Sequence, residues 1–174
     1  MSQQHIRTPN WLNKLIAICL VICIPVAIVS ATVLTAFNTD SVYTRGFEKY
    51  SISQKTGISN SDLIKVANDL QQYFNNNKEL LDTKAVIYGQ NRELFNQREV
   101  HHMKDVKSLV KGTYWLFIIS AAYISMVIGL RLITRHNILK LGQLILYGSL
   151  LTIGVICLFG LLALLEFEAL FLLF

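Results

Sequence analysis

Hydrophobic residues are concentrated in three stretches that contain no charged side chain. These stretches are residues 15–37, 112–130 and 141–165. A helix of about 20 apolar residues crosses the ~30 Å hydrocarbon layer of a bilayer, and each stretch is about that long. Because backbone N–H and C=O groups in lipid must be satisfied within the segment itself, we predict that each stretch forms a transmembrane helix.

The composition also indicates a membrane protein. Of the 174 residues, 53% are hydrophobic and 16% are charged, whereas a soluble domain carries about 25% charged residues. These values argue against a soluble enzyme and against a disordered protein. A net charge of +5 can indicate nucleic-acid binding, but the apolar stretches outweigh it. We therefore expect membrane lipid, and no nucleic acid, as a partner.

The first apolar stretch is predicted to be a retained anchor, because it is longer than the ~7–15-residue core of a signal peptide. All three cysteines, Cys19, Cys23 and Cys157, lie inside apolar stretches, where we expect them to act as small hydrophobic residues. The long polar segment contains none, so no disulfide framework and no Cys/His metal site can be drawn. We expect neither a metal nor a cofactor.

The distribution of charge predicts the orientation. Residues 1–37 and 114–165 contain no acidic side chain. The basic residues outside the long polar segment lie at the N-terminus and in the short turn after the second stretch: Arg7, Lys14, Arg131, Arg135 and Lys140. Short basic loops stay in the cytoplasm. We therefore place the N-terminus and this turn inside the cell and residues 38–113 outside.

These expectations divide the chain into six segments of an all-α polytopic membrane protein. They are a cytoplasmic N-terminus and first transmembrane helix (1–37), a small, mainly helical extracytoplasmic domain (38–111), a second transmembrane helix (112–131), a cytoplasmic turn (132–140), a third transmembrane helix (141–165), and an outer turn with the start of a fourth helix (166–174). Six apolar residues after Glu168 cannot span a bilayer, so we expect the natural protein to continue beyond Phe174.

Small residues predict where the spans pack. Ala121, Ser125 and Gly129 recur every four residues along the second span, a spacing that lets another helix approach closely. The glycines of the third span, Gly148, Gly154 and Gly160, recur every six residues and are also interpreted as packing positions.

The polar segment begins with two predicted helices. The first carries an aromatic face of Tyr43, Phe47 and Tyr50 and is broken at Thr56-Gly57. The second begins at Ser59 as N-cap and ends at residues 75–77. Its apolar stripe consists of Leu63, Val66, Leu70 and Phe74. Residues 84–89 are typical of a short strand and turn.

Residues 91–107 are predicted to be helical and carry the candidate chemistry. On a helix, His102 lies within about 60° of an apolar face that includes Phe95, Val106 and Leu109. It should therefore point towards a partner helix or the membrane surface, whereas His101 lies about 100° away. Carboxylates stand on either side of His102, at Glu99 and Asp105. This pattern suits an oriented general base, and it suits a structural histidine equally well.

The order of segments and motifs resembles the bacterial lipoprotein intramolecular transacylase (Lit) family and its integral membrane relatives. The similarity extends over residues 11–174. Outside the membrane it is carried by Tyr43, Phe47, Tyr50, Thr56-Gly57 and Asp62-Leu63, and most specifically by residues 94–107. The histidine of the family's His-Met-x-Asp-Val-Lys motif corresponds to His102, and His101 occupies a position that the family is not expected to fix.

The resemblance implies four spans, a bacterial cytoplasmic membrane location and an outer-face site. It also implies an acyltransferase that moves the sn-2 acyl chain of a diacylglyceryl lipoprotein to the amine of its own N-terminal cysteine. In this interpretation His102 is the catalytic base, Glu99 and Asp105 support its ring, and Arg98 steers the ester carbonyl or a lipid phosphate. The alternative is a non-catalytic membrane protein, an assembly subunit or a sensor, whose outer domain binds a partner.

Overall fold

The computed structural model describes residues 10–134 and 138–165. Its elements in chain order are α1 (Asn10–Asn38), α2 (Asp40–Lys49), α3 (Ile52–Thr56), α4 (Asn60–Asn75), β1 (Lys84–Ile87), β2 (Gln90–Glu93), α5 (Gln97–Thr134) and α6 (Ile138–Leu165). Three of these helices, α1, α5 and α6, are long and apolar enough to cross a membrane. The prediction of an all-α polytopic membrane protein with three spans in the described residues is confirmed.

The described chain forms two compact units. One unit, which we call the membrane unit, comprises α1 as far as Ser30 together with the described chain from Leu116 onward. The other, Ala31–Trp115, we call the outer unit after its predicted side of the membrane. Helix α5 runs without a break through the predicted boundary at residue 112. Arg7, Arg135 and the expected start of a fourth helix lie outside the described residues.

The membrane unit has a small apolar core. Leu20, Ile24, Val127 and Leu141 are buried together, and Leu20 has no exposed surface. The Tyr123 hydroxyl donates a hydrogen bond to the Ile16 carbonyl at 3.1 Å. Most other large side chains of these helices are apolar and exposed, among them Ile119, Leu150 and Phe159. An exposed apolar surface on helices of this length is typical of membrane-spanning segments.

Only part of the predicted helix packing is found. A Cβ at Gly148 would lie 2.5 Å from Ile24 Cδ1, so α1 and α6 approach closely at this glycine. A Cβ at Gly129, Gly154 or Gly160 would meet no atom of another described element within 4 Å. Ser125 is exposed. The predicted stripe on the second span therefore makes no close helix contact within the described residues.

The outer unit is organised around α4. The Ser59 hydroxyl accepts a hydrogen bond from the Asp62 N–H at 3.1 Å, which confirms the predicted N-cap. Three of the four residues of the predicted stripe are buried, and Leu70 is half-buried. Part of this stripe forms an apolar cluster with neighbouring elements, composed of Ile58, Leu63, Val66 and Ala85.

A β-hairpin follows α4. Residues Lys84–Ile87 form β1, as the sequence predicts, and pair antiparallel with β2. Tyr88 and Gly89 join the strands with positive φ values of 48° and 80°, which is the turn geometry that matches strand twist. The expectation that residues from 91 onward are helical was wrong. Gln90–Glu93 form β2 because their backbone groups pair with β1, and the helix begins at Gln97.

Candidate functional site

The outer part of α5 begins with a reciprocal cap. The Asn96 side-chain oxygen accepts a hydrogen bond from the Glu99 N–H at 3.0 Å. The Glu99 carboxylate accepts one from the Asn96 N–H at 2.8 Å. This is the capping-box arrangement with Asn as N-cap residue, and it satisfies two backbone donors of the first turn. The structure thus places Glu99 as a helix cap, and Phe95 lies before the helix.

The two adjacent histidines have different environments. His101 Nδ1 donates a hydrogen bond to the Gln97 carbonyl one turn earlier, at 2.8 Å. His102 is exposed, and no hydrogen bond or ion pair joins it to another residue in the described part of the chain. His102 is therefore open to a partner on its own face of α5, whereas one nitrogen of His101 is already used.

The other predicted site residues are also on the surface. Arg98 and Asp105 are exposed, and among the described residues no hydrogen bond or ion pair joins either of them to His102. The structure places these side chains on the first turns of one helix but does not join them into a hydrogen-bonded group. No cluster of three metal-ligating side chains occurs in residues 10–134 and 138–165.

The buried face of outer α5 is turned away from His102, at about 80–160° round the helix. Val110 and Lys107 are buried, and Val100 and Met103 are half-buried. Leu109, which was expected to share the face of His102, is 60% exposed. Lys107 lies about 140° round the helix from His102. Phe95 and Val106, the other residues of the predicted apolar face, are half-buried, so this face is only partly covered within the described residues.

Lys107 is a buried cation with neutral partners. Its side chain is 5% exposed, and its ammonium donates hydrogen bonds to Asn76 Oδ1 at 2.9 Å and to the Lys78 carbonyl at 2.7 Å. The same ammonium lies 4.0 Å from the centroid of the Tyr73 ring, within the range of a cation–π interaction. A buried charge is tolerated when its donors are satisfied in this way.

Further polar contacts flank Lys107 along the same face. Lys104 forms an ion pair with Glu79 at 2.5 Å, and Lys111 donates to Asn77 Oδ1 at 3.3 Å. The hydrogen bond from Lys104 lowers the pKa of the Glu79 carboxyl below its usual value. We call residues Asn75–Glu79, together with Lys104, Lys107, Lys111 and Tyr114, the polar ladder.

The ladder ends in a closed ring of three side chains. Asn38 donates to the Tyr114 hydroxyl at 3.0 Å, Tyr114 donates to Asn75 Oδ1 at 2.8 Å, and Asn75 donates to Asn38 Oδ1 at 2.7 Å. Each residue donates once and accepts once within the ring. The ring joins the ends of α1 and α4 to α5.

The sequence contained a signal for Lys107 that was missed. Val100, Met103, Lys107 and Val110 recur at helical spacing, with one lysine in an otherwise apolar stripe. A lysine at such a position must either extend to water or find buried acceptors. The acceptors lie about 30 residues earlier in the chain, and their identity was not readable from the pattern.

Comparison with known proteins gives one family. The family model described as "Lipoprotein intramolecular transacylase Lit" matches residues 18–174, which is most of the chain. No curated protein and no solved structure gives a match.

Proposed function

Because this chain belongs to the lipoprotein intramolecular transacylase family, we propose that it transfers an acyl chain within a diacylglyceryl lipoprotein and that His102 is the general base. The family assignment supports a lipoprotein-modifying transferase in the membrane. The observation that supports the choice of residue is the free, exposed ring of His102 beside the engaged ring of His101.

The proposed reaction needs one proton carrier. The neutral α-amine of the lipidated cysteine attacks the sn-2 ester carbonyl, and a C–N bond forms. The nitrogen passes a proton to His102 as the tetrahedral intermediate forms. His102 then protonates the glycerol oxygen as the C–O bond breaks, which leaves an amide and a free hydroxyl. An imidazole ring can both accept this proton and return it.

The remaining site residues have proposed positioning roles. Asp105, one turn after His102, would favour the imidazolium formed during the reaction. Arg98 lies about 40° from His102 and would orient the ester carbonyl or a lipid phosphate. Glu99 would act on His102 through the first turn of α5, since its carboxylate caps that turn.

The test compares His102→Gln with His101→Gln in the natural full-length protein. Substrate and product have the same mass, because the transfer is intramolecular. The purified lipoprotein is therefore treated with an isotopic amine-acylating reagent, which labels the α-amine of the substrate but not that of the product. Fragmentation of the N-terminal peptide by mass spectrometry then locates each acyl chain.

We expect His102→Gln to lower the rate of amide formation at least ~10²-fold, which is the usual contribution of a general base. His101→Gln should stay within about twofold of the wild type. Both variants must reach the membrane in equal amounts. Wild-type activity of His102→Gln would refute the base assignment. A wild-type protein that never consumes the amine would favour the non-catalytic alternative.

A further inference from the structure

The polar ladder and His102 occupy opposite sides of the same helix. At about 100° per residue, Lys104, Lys107 and Lys111 lie roughly 140–200° round α5 from His102. The segment that they hold runs antiparallel to α5, since Glu79 meets Lys104 and Asn75 meets Tyr114. The polar contacts from this face of α5 are therefore made to residues Asn75–Glu79.

We propose that the polar ladder sets the rotation of outer α5 about its own axis and so directs the side chain of His102, with Lys107 as the central positioning residue. This proposal rests on the proposed function of His102 for its effect on catalysis. The control of the helix rotation by the polar ladder does not depend on that function.

Apolar packing alone would define this rotation poorly. The apolar part of the buried face consists of Val110 together with half-buried Val100 and Met103. Hydrophobic contacts are non-directional, whereas hydrogen bonds weaken steeply when their angles deviate. Lys107 interrupts the apolar stripe with two hydrogen bonds to acceptors on the 76–78 turn. These hydrogen bonds therefore fix the rotation of outer α5 about its axis.

The consequence for His102 follows from the size of the helix. Side-chain atoms lie about 5–6 Å from the axis of an α-helix. A rotation of about 10° therefore moves the His102 ring by about 1 Å, and a displacement of that size can lower a catalytic rate by as much as 10²-fold. A change of about 10° in the rotation of outer α5, after loss of the Lys107 contacts, is therefore enough to slow the reaction.

Lys107 itself is not placed to contact a substrate. Its side chain is 5% exposed, and its ammonium is occupied by Asn76, Lys78 and the Tyr73 ring. It is therefore a positioning residue. Tyr73 is fixed in turn, since its hydroxyl donates to the Glu79 carbonyl at 3.1 Å.

The kinetic test uses Lys107→Met in the full-length protein, because methionine keeps an unbranched chain and removes the ammonium. The matched control is Lys65→Met, which changes an exposed lysine of α4. With a diacylglyceryl lipopeptide in proteoliposomes, we expect Lys107→Met to lower kcat at least tenfold while KM changes less than twofold. Lys65→Met should leave both unchanged. An unchanged kcat for Lys107→Met would overturn the proposal.

A second measurement is independent of turnover. A nitroxide label is placed at position 102 or at position 65 of the full-length protein, after its native cysteines have been replaced by alanine. Electron paramagnetic resonance then reports the mobility and the oxygen accessibility of each label, with Lys107 or with Lys107→Met. We expect the substitution to change the label at position 102 and to leave the label at position 65 unaltered.

The label outcomes separate the two proposals. An unaltered label at position 102 would overturn the ladder's role. Equal changes at both positions would overturn it too, because Lys107 would then stabilise the whole outer unit. If the wild type proves inactive while only the label at position 102 responds, the proposed function fails and the ladder's control of the helix rotation stands.

Discussion

The close approach of α1 and α6 at Gly148 predicts a measurable loss of stability when this glycine is replaced by alanine. A Cβ at this position would lie 2.5 Å from Ile24 Cδ1 and 2.9 Å from Ile24 Cβ. The first contact involves the end of a flexible side chain, which can rotate away. The second involves an atom next to the backbone of α1, so the two helices must separate. Gly148→Ala should therefore weaken the packing of α1 against α6.

Gly154 supplies the matched control on the same helix. A Cβ there would meet no atom of another described element within 4 Å. Both substitutions gain the same helix propensity, about 0.5–1 kcal/mol. Only Gly148→Ala carries the cost of overpacking, about 1–3 kcal/mol. The difference between the two variants in the free energy of unfolding should therefore be about 1–3 kcal/mol, with Gly148→Ala the less stable.

The assay is reversible unfolding in bicelles, monitored for the wild type and both variants. A double-mutant cycle with Ile24→Gly tests the cause, because it removes both the Cβ and the Cδ1 of residue 24. The cycle should give a coupling of at least about 0.5 kcal/mol between positions 24 and 148. Equal stabilities of Gly148→Ala and Gly154→Ala would refute the close approach of α1 and α6.

Two further predictions concern the cap of α5 and the topology. Asn96→Ala removes the acceptor of the Glu99 N–H and should lower the stability of the outer unit by about 1 kcal/mol in chemical denaturation; no change would mean that the cap does not contribute. Single cysteines at Asn60 and Lys140, introduced after removal of the native cysteines, should react differently with an impermeant thiol reagent on intact cells. Position 60 should be labelled and position 140 protected, and the opposite pattern would reverse the proposed orientation.

The local signals of the outer unit were readable because they depend on neighbouring residues. The N-cap at Ser59, the stripe of α4 and the strand at residues 84–87 each arise from interactions within a few positions. The prediction of helix from residue 91 onward was wrong because an interaction with another strand decides the structure of residues 90–93. Those residues form β2 through pairing with β1, and that pairing overrides a weak local preference for helix.

The sequence by itself determined the three spans, because lipid requires long apolar segments whatever their neighbours are. It also carried the resemblance to the family whose model matches residues 18–174. Only the tertiary structure decided which face of α5 is buried, because that depends on Asn76 and Lys78, about 30 residues from Lys107. It likewise decided that Gly148, and neither Gly129 nor Gly154, meets another described helix. Periodicity marks the candidate faces of a helix, but the partner that covers one of them is supplied by distant parts of the chain.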